Sequence, residues 1–88
     1  MNKIIIWTSP TAPFQKIYVM KEGELVDQMG VLPNNLEGIV YALVDKYQIM
    51  DIDFSGTPSF AEGFMTTLRN NQIIHYGREC LNIGFVKG

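Results

Sequence analysis

Two carboxylates, Asp51 and Asp53, stand two positions apart in the apolar segment IMDIDF. A strand places both on one face, about 7 Å apart by strand rise, within reach of a shared divalent ion. A two-metal nuclease needs further acids, and only Glu62, Asp27 and Asp45 offer themselves as loose additions. The simpler reading of Asp51 and Asp53 is two solvated residues near the end of a sheet, with no metal site. The segment Ser55-Gly56-Thr57-Pro58-Ser59 follows directly. It turns a strand into a helix, where unpaired N–H groups and the positive end of the helix dipole attract anions. Ser55, Gly56, Thr57 and Ser59 are therefore candidates for holding a phosphate or nucleotide. Neither a Gly-x-Gly-x-x-Gly run nor a Lys-Ser/Thr pair accompanies them, and ordinary capping accounts for the same residues. His75 and Cys80, each single in the chain, suggest a thiol–imidazole pair. They fall in different predicted elements with no orienting third group, so Cys80 reads as a small hydrophobe at the start of a strand. No catalytic set emerges.

The elements that must position these residues are legible from pattern. KIIIWT is β-branched and aromatic and predicts a first strand ending near Thr8, since Pro10 and Pro13 cannot donate to a ladder. Residues 15–31 predict a hairpin turning at Lys21-Glu22-Gly23-Glu24, with Gly23 supplying positive φ. On its second arm Leu25, Asp27 and Met29 alternate with Val26 and Gln28, which leaves the buried face undecided. After Pro33-Asn34-Asn35, with an Asn side chain as cap, Leu36, Ile39, Val40, Leu43, Val44 and Tyr47 form one stripe of a helix over 35–47. Glu37, Gly38, Tyr41, Asp45 and Lys46 take its other side. IMDIDF predicts the next strand. A second helix starts either from Thr57 with Pro58 in its first turn or from a Ser59–Glu62 capping box. Phe60, Ala61, Phe64, Met65 and Leu68 form its apolar face, Gly63 leaves room for another backbone, and it ends near 69–71. One further turn within 72–79 and a last strand in CLNIGFV complete the chain.

Length and composition bound what this arrangement can do. A chain of 88 residues with 47% hydrophobic content has room for one core. Seven basic against nine acidic residues, with no basic cluster, give little support to nucleic-acid binding. One cysteine cannot form an internal disulfide, no Cys/His metal spacing occurs, and the run Ile4-Ile5-Ile6-Trp7 is too short to span a bilayer. The expectation is a cytoplasmic protein without membrane contact or cofactor.

The order strand, hairpin, helix, strand, helix, strand resembles a ribonuclease H-like domain, the unit of actin-like ATPases and many nucleases. IIIWTSPTAPFQKIYVMKEGELVDQMG is similar to the opening three strands of an actin-like domain. IDFSGTPSFAEGFMTTLRN is similar to the strand–loop–helix of the non-catalytic partner subunit in bacterial tRNA threonylcarbamoyladenosine synthesis, with Gly56, Ser59, Phe60 and Gly63 at the matching positions. The resemblance implies an α/β fold over residues 1–88: a five-stranded mixed sheet in the order β-β-β-α-β-α-β with two main helices. It covers half of such a protein. Trp7 stands where the family carries its metal-organising acid, the second half that closes a nucleotide cleft has no counterpart, and Pro58 interrupts the loop. A fold without its chemistry is implied. DFSG followed by PSFAEGF also resembles STAS-like regulatory domains, in which Ser55, Thr57 or Ser59 would be phosphorylated.

Met20, Met29, Met50 and Met65, with Tyr18, Tyr41, Tyr76, Phe14 and Trp7, are a large apolar set for a five-stranded sheet under two helices. Some of them should lie outside the core and serve adaptable contacts. The expected function is therefore a non-enzymatic protein–protein interaction module, self-associating and binding a protein partner. Tyr41, Gly38, Phe64, Met65 and Gly63 on the two helices are the candidate interface. The alternatives are a small metal-dependent nuclease or nucleotide-binding protein and a STAS-like switch.

Overall fold

The computed structural model describes residues 1–87. Five strands and two helices follow in the order β1 (Lys3–Thr8), β2 (Gln15–Lys21), β3 (Glu24–Val31), α1 (Leu36–Tyr47), β4 (Asp51–Gly56), α2 (Pro58–Tyr76) and β5 (Asn82–Phe85). The strands form one mixed sheet in the spatial order β3-β2-β1-β4-β5. β2 is antiparallel to both β1 and β3, whereas β1, β4 and β5 run parallel. This is the α/β architecture expected from the sequence.

The β2–β3 turn is tighter than one glycine would permit. Glu22 and Gly23 both have positive φ, 56° and 78°, the two-residue geometry that matches the twist of a hairpin. A register shift opposite Val19 and Met20 then breaks the simple alternation along β3. Leu25 pairs with Met20 while Asp27 pairs with Val19, so Leu25 and Asp27 do not share a face. Asp27 instead accepts a hydrogen bond from the Tyr47 hydroxyl at 2.9 Å.

Both crossovers, β3 to β4 through α1 and β4 to β5 through α2, travel the same way across the sheet. Right-handed crossovers of one direction put their helices on one face. The burial pattern agrees: Ile4, Ile6, Ile17, Val19, Ile52 and Phe54 are fully buried and share a cluster with Leu36, Val40, Val44, Ala61, Met65 and Leu68 of the helices.

Several boundaries differ from the sequence reading, each for a physical reason. Pro33–Asn35 form a 3-10 turn, and Asn35 caps α1 without a side-chain hydrogen bond. Tyr41, assigned to the outside of α1, is 6% exposed, because α2 packs beside that flank. Ser55 and Gly56 belong to β4, since they pair with Trp7 and Thr8. α2 starts after Thr57, with Pro58 in its first turn, and the Ser59–Glu62 box is not its start. The helix also runs to Tyr76, where Gly77 adopts φ 76° and returns its N–H to Ile73. The polar stretch RNNQ hides this continuation, because the buried residue within it is Gln72. Its Oε1 accepts the N–H groups of Cys80 and Leu81, each at 3.0 Å, and so ties the last strand to the helix.

Candidate functional site

Part of the loop at 55–59 serves the fold. Thr8 Oγ1 donates to the Ser55 carbonyl at 3.1 Å, the Thr57 N–H donates to the Thr8 carbonyl at 2.9 Å, and the N–H groups of Phe60 and Ala61 both reach the Thr57 carbonyl. Pro58 has no N–H to give. Gly56 has φ 94°, and a Cβ built there would lie 2.1 Å from the Thr8 carbonyl oxygen. Gly56 thus lets β4 close against the end of β1, and the N–H groups of Thr57, Phe60 and Ala61 are already engaged at this junction.

Asp51 and Asp53 do emerge on one face, as their spacing requires. Asp51 Oδ1 accepts the Asn82 side-chain amide at 2.8 Å, and Asp53 Oδ2 lies 2.8 Å from Lys3 Nζ. The hydrogen bond and charge of Asp53 hold the Lys3 ammonium above the usual lysine range, with a smaller contribution from Asp51. No group of three His, Cys, Asp or Glu side chains suited to a metal occurs among the described residues. These groups line an open depression of about 790 Å³ beside β5, together with Arg69, which donates to the edge carbonyl of Ile83 at 3.3 Å.

His75 is engaged away from the thiol. Its ring stacks on Tyr41 with centroids 4.4 Å apart, meets Tyr76 edge-on at 4.5 Å, and brings Nε2 to 3.6 Å from Asp45 Oδ2. Tyr41 donates to the Leu68 carbonyl at 3.1 Å, and burial, with the nearby Glu37 carboxylate, raises its phenol to about 12. Burial and Asp45 push Tyr76 up as well.

The proposed helix interface is divided by this packing. Tyr41 and Met65, the latter 4% exposed, lie in the core and cannot meet a partner without unfolding. Gly38 and Gly63 remain exposed. Phe64 is half-buried, edge-on to Phe60 at 5.1 Å, and lines a shallow depression of about 240 Å³ with Pro33, Leu36 and Leu68.

The apolar surplus divides along different lines. Met29, Met50, Met65, Tyr41 and Tyr76 pack in or against the core, whereas Trp7, Tyr18, Met20 and Ile5 are not part of that cluster. They occupy the sheet face opposite the helices. Register sets them in cross-strand rows: Gln28, Tyr18, Ile5, Asp53 and Gly84 in one, Gly30, Lys16, Trp7 and Ser55 in the next, and Leu25, Met20 and Lys3 on the other side. Phe14 leans over Gly30 at the margin, where a Cβ on the glycine would meet the Phe14 Cβ at 3.4 Å. Lys16 Nζ sits 5.7 Å from the centre of the Trp7 ring. No described element covers this face, and its residues Ile5, Trp7, Tyr18 and Met20 are half-buried by one another and their neighbours on the sheet.

Sequence reasoning identified Trp7, Tyr18, Met20 and Phe14 as surplus but not as neighbours. The run IIIW is apolar at every position and therefore conceals which of its faces is turned away from the helices. No helix among the described residues is long and apolar enough to cross a membrane. No protein-family model, curated protein or solved structure matches the chain.

Proposed function

We propose that the chain is a non-enzymatic interaction module that binds protein through the uncovered face of its sheet. The observation that carries this reading is the set Ile5, Trp7, Tyr18 and Met20, contiguous on β1 and β2 and excluded from the core. Aromatic residues and methionine concentrate at the centres of protein interfaces, and a rim of Lys3, Lys16, Asp51 and Gln28 supplies polar contacts. The strand order and the parallel β1–β4–β5 segment support descent from a ribonuclease H-like, actin-like half domain. In that reading Trp7 has taken the place of an acid and turned a reaction centre into a contact. Thr57, Ser55 and Gly56 serve the β1–β4 junction, which leaves a phosphate-binding or STAS-like role without its own observation. A single cysteine suits a reducing cytoplasm.

A photo-crosslinking amino acid placed at Tyr18, or at the exposed Glu62 on α2, tests this in cells expressing the full chain. Protein adducts are expected from Tyr18. Adducts from Glu62 alone, or from neither position, would refute the assignment of the face.

A further inference from the structure

One half of the Gln72 amide has no use inside the fold. Gln72 is 3% exposed, and its Oε1 must face the segment after α2, because it accepts the N–H groups of Cys80 and Leu81 at 3.0 Å each. That orientation turns Nε2 the other way, where it meets no acceptor among the described residues. No wholly enclosed side-chain nitrogen or oxygen lacks a partner among those residues, so Nε2 opens outward, into the depression beside β5 that Gln72 lines. Arg69 lies one turn earlier on α2 and lines the same depression, its guanidinium reaching the Ile83 carbonyl at 3.3 Å. Two donors on neighbouring turns, one of them charged, suit a carboxylate.

The backbone of β5 indicates what carries that carboxylate. Asn82 and Val86 donate their N–H groups to Met50 and Phe54, so by alternation Ile83 and Phe85 turn their N–H and C=O groups outward. β5 is an edge of the sheet among the described residues, and such an edge is a template for a further strand. Leu81 points the same way as Ile83, and Gln72 takes its N–H, so Gln72 stands at the end of the row of edge groups. A strand laid antiparallel to β5 therefore runs its carboxyl end into Gln72 Nε2 and Arg69. We propose that the open edge of β5 binds the carboxyl terminus of an extended peptide, with Gln72 and Arg69 holding the terminal carboxylate. The N–H of the penultimate peptide residue replaces Arg69 on the Ile83 carbonyl, and the guanidinium turns to the carboxylate.

Strand addition takes affinity from main-chain hydrogen bonds and specificity from alternate side chains. The penultimate peptide residue lies opposite Ile83, on the helix side of the sheet, since Ile83 pairs with the buried Ile52. Ile83 is half-buried against the core, so an apolar side chain fits there. The last residue lies opposite Asn82, on the other face of the sheet. Asp51, the register partner of Asn82, and Glu79 line the depression there, and neither has a basic partner among the described residues. Asp53 is already met by Lys3. The site therefore favours a terminus that ends in an apolar residue followed by lysine or arginine.

A bead library of random heptapeptides with free carboxyl termini, screened with the full chain, tests the site. The expected result is enrichment of termini ending in an apolar and then a basic residue. Titration of an enriched peptide into the 15N-labelled chain should shift the Gln72 side-chain amide signals. Amidating the peptide terminus, N-methylating its penultimate residue, or changing the exposed Arg69→Gln should each weaken binding at least about tenfold, the measure of one charge-assisted or strand hydrogen bond. Gln72→Glu keeps an oxygen for Cys80 and Leu81 but replaces the donor, and should weaken binding as much; if that variant unfolds, Arg69→Gln decides. A library without enrichment, or an amidated peptide that binds as tightly, overturns the site. Sodium acetate that competes fully, with N-methylation without effect, makes the ligand a small carboxylate and overturns the strand pairing. Tyr18 crosslinking reads a different surface, so failure here leaves the sheet-face reading standing.

Discussion

Tyr41 illustrates how one side chain can be read correctly for type and wrongly for place. Its position opposite the apolar stripe of α1 marked it as an outside residue, yet its hydroxyl is held by the Leu68 carbonyl and its ring by His75. Nothing in the spacing of α1 could announce this, because the flank is buried by a second helix. The consequence is pH-dependent. The folded phenol ionises at about 12 rather than 10.0, so folding favours the neutral form. That contribution is fully present below about pH 10 and is lost as pH rises toward about 12, amounting to roughly 2–3 kcal/mol. The urea midpoint should fall across this window, and Tyr41→Phe should remove much of the fall. A wild-type midpoint as flat as that of the variant would contradict the burial of the phenol. The acids Asp51 and Asp53, by contrast, were placed on their common face by spacing alone; what spacing could not supply was the company they keep, Asn82 and Lys3.

At the scale of elements, strand and helix identities were legible because their signals are local. A β-branched run, a Glu-Gly turn and a stripe at helical spacing need no knowledge of the rest of the chain. The errors fell where a neighbour decides. β4 extends through Gly56 because β1 offers Trp7 and Thr8 as partners, and the α2 residue Gln72 is buried because its amide oxygen accepts the N–H groups of Cys80 and Leu81, just before β5. Gly56 is where this dependence is most exacting. Gly56→Ala combines a left-handed backbone with a Cβ 2.1 Å from the Thr8 oxygen. It should destabilise the chain by on the order of 3–5 kcal/mol. Differential scanning calorimetry would check this, and a melting temperature within a few degrees of wild type would mean that β1 and β4 can part at this end without loss.

For the whole molecule, the decisive fact is a direction of travel. Two crossovers that move the same way leave one face of the sheet without a helix, and the uncovered face then gathers the aromatic residues that the core did not take.

The parallel pairing of β1 with β4 also bears on how the chain is made. As the polypeptide leaves the ribosome, β1 finds β2 almost at once, but the strand that seals its other edge follows only after the hairpin and the whole of α1. During that interval Ile4, Ile5, Ile6 and Trp7 sit on an open ladder, the kind of edge on which nascent chains join one another. The hazard ends when Gly56 docks on Thr8. A chain whose hairpin has formed before β4 has docked is therefore the species most prone to join another, and refolding yield should fall as chain concentration rises.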